Sequence, residues 1–170
     1  MYEIKECNNS NRTAILSFME RCLPESGRVF ELDGRHYAYK DIEKNFLKFW
    51  CMYDGDGIIG TVAIRDIGQR RGEIKSLYLL NDYQGKGFGR KLFDLALTEV
   101  KRAGFNEVYL DTIRANSKRA LDMYKKAGFV EIEKYNDNPV ADVFMKLVII
   151  DITFITKYIN PTVDKKRFFI

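Results

Sequence analysis

Apolar and polar positions alternate from Tyr2 to Cys7, which predicts a first strand. The period then lengthens to that of a helix, with Ala14, Ile15, Phe18, Met19 and Cys22 on one side, Asn9 or Ser10 as the cap and Pro24 as the stop. Glu25 to Tyr37 has no clear period and reads as a long loop, followed by a short helix around Tyr39 to Phe46. Lys48 to Tyr53 and Ile58 to Ile64 are β-rich runs joined by Asp54-Gly55-Asp56-Gly57, a hairpin signature. After a second polar turn at Gly68 to Gly72, Glu73 to Leu80 supplies another strand and completes an antiparallel meander.

Beyond Leu80 the pattern changes. Asn81 to Gly87 leads into a strongly amphipathic helix with Leu92, Phe93, Leu95, Ala96, Leu97 and Val100 as its apolar positions and Gly104 as its stop. A strand at Glu107 to Ile113 follows, then a helix opened by Asn116 or Ser117 that carries Ala120, Leu121, Tyr124 and Ala127 and stops at Gly128. Strands at Phe129 to Tyr135 and Val143 to Ile149 flank the turn Asn136-Asp137-Asn138-Pro139. Strand, helix, strand, helix, strand in succession requires crossover connections. The expected class is α+β: a mixed, mostly antiparallel sheet with a βαβ core and helices on both faces.

Composition narrows the function classes. Of 170 residues, 46% are hydrophobic and 31% charged, which suits a globular domain and excludes a disordered chain. The length predicts one domain over 1–149 with an extension over 150–170 packed on it. The net charge of +4 is spread along the chain except at Lys165-Lys166-Arg167, so no concentrated basic stripe marks a nucleic-acid binder. Cys7, Cys22 and Cys51 are widely spaced and only His36 could join them, which supports neither a disulfide framework nor a metal site. No signal-peptide pattern or membrane-length apolar run is present, and a cytoplasmic protein without a membrane partner is expected.

The candidate chemistry lies at Gln84-Gly85-Lys86-Gly87-Phe88-Gly89, between a strand end and a helix start, with Arg90 just beyond. Glycines let a backbone approach a ligand closely, and the unpaired N–H groups and dipole of a first helical turn favour phosphate oxygens. Spacing excludes the Walker loop and the dinucleotide GxGxxG fingerprint. Gln84, Gly87 and Gly89 fit Gln/Arg-x-x-Gly-x-Gly/Ala, and Asn116, Ala120, Tyr124, Gly128 and Phe129 fit Asn-x3-Ala-x3-Tyr-x3-Gly-Phe downstream. With both motifs in this order, the segment from about Tyr2 to Leu147 resembles the GNAT (GCN5-related) N-acetyltransferase superfamily.

That resemblance implies an acyltransferase using acetyl-CoA as donor, no metal, and a primary amine of a small molecule or peptide as acceptor, attacking directly in a ternary complex. It implies that Gln84 to Arg90 hold the pyrophosphate, that Leu77 and Leu79 present backbone groups to the pantetheine and acetyl carbonyl, and that Asn116 bonds the cofactor or a bound water. Tyr124 is implied as the acid facing the sulfur and Glu73 as the base acting through water. Asn116 as a routine cap and Tyr124 as a packing residue remain open beside those roles. In the loop after Pro24, Glu25 and Glu31 could attract an amine, Arg28 and Arg35 could hold a carboxylate, and His36 could serve as base in place of Glu73 or contact the acceptor. A non-catalytic acyl-CoA sensor is the alternative function. The aromatic tail, with Phe154, Tyr158, Phe168 and Phe169, is a candidate association segment compatible with a homodimer.

Overall fold

The computed structural model describes residues Met1–Ile150. The expected extension beyond residue 150, with its aromatic and basic positions, lies outside the described residues. Seven strands form one sheet: β1 (Tyr2–Glu6), β2 (Lys48–Asp54), β3 (Gly57–Asp66), β4 (Arg71–Leu79), β5 (Glu107–Thr112), β6 (Val130–Ile132) and β7 (Val143–Val148). Their spatial order is β1-β2-β3-β4-β5-β7-β6, and every neighbouring pair is antiparallel except β4 with β5. The expected mixed, mostly antiparallel α+β fold is therefore the one observed.

Helix α1 (Arg12–Glu25) and helix α3 (Phe88–Arg102) both cover β3 and β4, from opposite faces. Ile15, Met19 and Leu23 of α1, and Leu92, Phe93, Ala96 and Val100 of α3, are fully buried, so each helix turns one apolar stripe onto the sheet. The short α2 (Ile42–Asn45) is capped by the Asp41 side chain. Helix α4 (Lys118–Lys126) lies beside α3, where Tyr124 meets Phe93 at 5.3 Å between ring centroids. The side chains of β3 explain how closely α3 packs. A Cβ at Gly60 would stand 2.9 Å from Leu79 Cδ1 and 3.0 Å from Leu92 Cδ1, so only glycine admits both leucines.

Four local expectations need correction. The capping side chain at the first helix is Asn8, which serves the 3-10 turn Asn9–Asn11 preceding α1, because that turn already satisfies the entry. Ala14 is exposed, and Pro24 lies within the last turn instead of stopping the helix. Ser117 does open α4 from the N-cap position, although its side chain makes no capping hydrogen bond. The strand expected from Phe129 to Tyr135 pairs only over Val130–Ile132, since Tyr135 and the residues after it turn inward to bond β4 and β5.

Among the described residues, no helix is long and apolar enough to cross a membrane. Gly60→Ala should destabilise the fold by about 1–3 kcal/mol through overpacking. Urea unfolding that leaves the midpoint unchanged would contradict the close approach of α3 to β3.

Candidate active site

The sheet parts at one seam. Strands β4 and β5 pair only over Arg71–Glu73 with Glu107–Tyr109, and beyond Glu73 they separate. The cause lies in β4, where the register against β3 shifts by one residue and Ser76 adopts φ of 56°, a left-handed conformation rare for a residue with a Cβ. Two contacts hold that bulge: Thr61 donates to the Ser76 carbonyl at 2.7 Å, and the Tyr39 and Ser76 hydroxyls meet at 2.6 Å. Above the bulge, the Leu80 N–H is spent on Ile59 of β3. By alternation, Leu79 and Leu77 point their backbone groups away from β3 into the gap.

The gap opens into a cleft of about 1170 Å³. Leu77, Leu79, Gln84, Gly85, Gly87, Gly89, Arg90, Asn116, Tyr124 and Glu73 all line it, so nearly every site residue expected from the sequence is gathered on one surface. Lys86 and Phe88 turn away. Phe88 is buried against Tyr2 at 4.5 Å, and the Lys86 ammonium sits over the Tyr83 ring at 5.3 Å. Phe88 can therefore offer only its backbone N–H.

The glycine turn has the properties of an anion cradle. Gly85 and Gly87 have φ of 77° and 82°, and Gly87 starts α3 in the left-handed conformation. Among the described residues, the amides from Gly85 to Arg90 have no backbone acceptor, and the first such bond into the helix is Lys91 N–H to Gly87. Gly89 needs no unusual φ, and the nearest atom to a Cβ there would be 4.0 Å away. Neither strain nor crowding among the described residues requires glycine at that position, and because Gly89 lines the cleft a Cβ there would take up space in it. Gln84 supports the turn from behind, donating to Asn81 Oδ1 at 2.9 Å and Leu79 O at 3.4 Å. Arg90 is held by Asp94 at 2.7 Å. A second cation escaped the sequence reading: Arg119, in the first turn of α4, reaches within 4.0 Å of the Cβ position at Gly85. Only the register of α4 against the turn reveals it.

At the other end, the open face of the sheet carries a charged floor. Glu73 and Lys75 of β4, Asp111 of β5 and Arg65 of β3 share one face by strand alternation. Glu73 is only 2% exposed. Its Oε1 accepts from the Tyr135 hydroxyl at 2.7 Å and from Asn136 at 3.2 Å, while Oε2 faces Arg65 at 3.7 Å. Lys75 bridges Glu73 and Asp111 at 3.5 and 2.8 Å, and Asn136 and Asn138 donate to Asp111. Burial opposes the charge on Lys75, but the two carboxylates outweigh it and raise its pKa. Burial raises the Tyr135 phenol, assisted by Glu73 and Asp111. The turn residues Asn136 and Asn138 carry this network, which a reading of them as loop formers alone overlooks.

Tyr124 is 6% exposed, and among the described residues its hydroxyl has no hydrogen-bond partner. Since no fully buried side-chain polar atom lacks a partner, that hydroxyl must open to the cleft. Burial, reinforced by Tyr78, raises its pKa, so it is a proton donor at neutral pH. Asn116 donates its amide to the Ser26 carbonyl, tying the start of α4 to the end of α1. The loop after α1 divides its labour: Glu25 accepts from the Asn81 N–H at 2.7 Å, Glu31 pairs with Arg35 at 2.8 Å, and His36 Nδ1 accepts from the Glu31 N–H at 3.0 Å. Burial and then Arg35 lower the His36 pKa. Cys22 also lines the cleft, its thiol pushed up to about 12 by burial and Glu25.

Residues 13–129 match the family model for the acetyltransferase (GNAT) family. The chain belongs to that family. It is 27% identical, over 54% of its length, to an uncharacterized N-acetyltransferase, YsnE, of Bacillus subtilis, and the match covers 61% of that relative, less than two thirds of its own length. In fold it is similar to a GNAT-family acetyltransferase from Staphylococcus aureus, with TM-score 0.78, 22% identity, and coverage of 88% of this chain and 100% of that one. It is also similar to the PaiA N-acetyltransferase of Thermoplasma acidophilum, solved in complex with coenzyme A, with TM-score 0.66, 20% identity, and coverage of 88% and 99%. Within this GNAT scaffold, the cradle is built from residues inside the matched segment, whereas part of the cleft wall, from Tyr135 onward, lies beyond it.

The two unlike glycines make the cradle testable. Gly89→Ala should leave the ligand-free melting temperature unchanged or slightly higher while shrinking the stabilisation by acetyl-CoA. Gly87→Ala should cost about 1–2 kcal/mol without any ligand, because it forces a Cβ into the left-handed region. An undiminished acetyl-CoA shift in Gly89→Ala would refute the cradle.

Proposed function

We propose that this protein transfers an acetyl group from acetyl-CoA to a primary amine by direct attack. The observation that carries the reading is the parted β4–β5 seam, which joins an anion cradle at one end to a free, protonated tyrosine hydroxyl and a buried carboxylate farther along. An elongated ligand with a phosphate end and a reactive end suits that shape. The free amides from Gly85 to Arg90, with Arg90 and Arg119, would hold its pyrophosphate. The outward backbone of Leu77 and Leu79 would bond its pantetheine arm as an added strand.

When bound, acetyl-CoA supplies an acyl group activated as a thioester. The chain's own part is to position and to move protons. An N–H from the β4 edge can stabilise negative charge on the acyl oxygen, a role open to Leu77 or Leu79 because β5 does not pair with them. Tyr124 donates its phenolic proton toward the departing sulfur, a role suited to a hydroxyl that burial keeps protonated. The amine must lose a proton before or during attack. Glu73 Oε1 is held by Tyr135 and Asn136, while Oε2 faces Arg65 at 3.7 Å without a hydrogen bond to it and can order the water that takes that proton.

Acetyl-CoA titration tests binding first. Ligand at 100 times its Kd should stabilise the protein by about 2.7 kcal/mol. Thiol release with a panel of amino acids, amino-acid amides, polyamines, aminoglycosides and peptide N-termini then separates an enzyme from an acyl-CoA sensor, which would show the stabilisation with no turnover. Tyr124→Phe should lower kcat by about 100-fold with acetyl-CoA affinity nearly intact. Full turnover in that variant would remove Tyr124 from the acid role. Glu73→Gln should lower kcat by about 100-fold with acetyl-CoA affinity nearly intact, and full turnover in that variant would reassign the base.

A further inference from the structure

The acceptor end of the cleft contains a cation, Arg28, that no carboxylate among the described residues neutralises. Helix α1 ends in a Schellman motif: Gly27 has φ of 72°, its N–H bonds the Pro24 carbonyl at 2.9 Å, and the Arg28 N–H bonds the Leu23 carbonyl at 3.0 Å. This reversal sends Arg28 back over the cleft mouth, half-buried and lining the cavity. Its guanidinium donates to two hydroxyls only, Ser26 Oγ at 2.9 Å and Ser117 Oγ at a long 3.5 Å. Ser117 is itself engaged with Thr112 at 2.6 Å. The remaining N–H donors of Arg28 have no acceptor among the described residues.

The carboxylates that could have paired with it are committed elsewhere. Glu25 binds the Asn81 N–H, Glu31 binds Arg35, and Glu73 and Asp111 are held by Lys75 with Asn136 and Asn138. A half-buried guanidinium offered only neutral hydroxyls is poorly compensated for its lost hydration, and a ligand carboxylate matches its planar fork with two parallel bonds. The charge of Arg28 also reaches the hydroxyls of Tyr124 and Tyr78, where it opposes the effect of burial. Its bond to Ser117, at the start of the helix that carries Tyr124, sets the guanidinium beside that helix, and both side chains line the cleft.

We infer that Arg28 binds the carboxylate of the acceptor, so that the acceptor is a free α-amino acid or a closely similar amino-carboxylate, not a polyamine, an aminoglycoside or a peptide N-terminus. In an α-amino acid the amine and the carboxylate hang from one carbon. A carboxylate seated on Arg28 thus brings the amine to the mouth of the β4–β5 gap, beside Tyr124. Three other cations lining the cleft face carboxylates, Arg35 with Glu31, Lys75 with Glu73 and Asp111, and Arg65 with Glu73, while Arg71 sits at the start of β4 and donates to the Gly68 carbonyl. This inference rests on the transferase reading above and names its acceptor class.

The experiment measures kcat/KM for the twenty amino acids against their carboxamides, with spermidine and kanamycin alongside. For the best amino acid, the wild type should prefer the carboxylate over the carboxamide by about 30-fold or more, carried mainly in KM. Arg28→Gln should collapse that ratio toward unity, and Arg28→Lys should restore part of it. On the coenzyme A-loaded protein, the N-acetylated form of that amino acid should raise the melting temperature more than its N-acetyl carboxamide does, and Arg28→Gln should erase the difference. Equal turnover of acid and amide in the wild type overturns the inference and needs no variant. An equal fall for both in Arg28→Gln also overturns it, because Arg28 would then act on the departing thiolate. Turnover confined to spermidine, kanamycin or peptides does the same while leaving the transferase reading intact. Acetyl-CoA stabilisation without turnover of any acceptor defeats the transferase reading itself, and the acceptor class with it.

Discussion

The site depends on one constraint, the short pairing between β4 and β5. A parallel pair that ran the full length of both strands would use the backbone groups of Leu77 and Leu79 within the sheet and leave no cleft. Pairing ends after Glu73 because the extra residue at Ser76 bends β4 away, and a left-handed serine costs about 1–3 kcal/mol wherever it is held. Thr61 and Tyr39 supply the contacts that fix it. Gly60 serves the same end from the other face, letting Leu79 and Leu92 close together so that α3 supports β4 where β5 no longer does. The strained residue, the missing Cβ and the two hydroxyl contacts act as one device that keeps a sheet open.

An open seam would collapse or admit bulk water without side walls. One wall is the segment from Tyr135 to Asn138, which gives up strand pairing after Ile132 in order to bond Glu73 and Asp111. The charges beneath it are balanced locally, two carboxylates against Lys75 with Arg65 nearby, as buried ions must be if they are not to destabilise the fold. The other wall is the loop after α1, fastened to α4 by Asn116 and to the end of β4 by Glu25. Each wall is pinned to the strand edges that part, so the width of the cleft is set by the same strands that line it.

Much of this was legible in the sequence, for physical reasons. Six of the strands and both long helices follow from hydrophobic periodicity, and the cradle from glycines whose spacing suits a helix start. The register of Leu77 and Leu79 was accessible because strand alternation has period two. Ser76 was not, since nothing in Lys75-Ser76-Leu77 marks a residue with positive φ. Arg119 and the Glu73–Lys75–Asp111 network were also hidden, because they arise between elements far apart in the chain. The Asn136 to Pro139 run has the composition of a turn and is one, but the side chains of Asn136 and Asn138 face inward.

The two ends of the cleft are therefore written in different chemical alphabets. The cradle uses backbone amides, two positive φ angles and open space, features that glycine and a helix start can provide in many sequences. Such a device survives wide divergence, which is why the family is recognisable at 27% identity and why the matched segment, residues 13–129, includes all of the cradle. The acceptor end uses particular side chains, and part of it, Tyr135, Asn136 and Asn138, falls beyond that segment. Selectivity there turns on which charges are already paired. Four carboxylates near the mouth are each engaged by another group of the protein, and Arg28 is not; the difference lies in contacts across the fold and so could not be read from the order of residues in the loop.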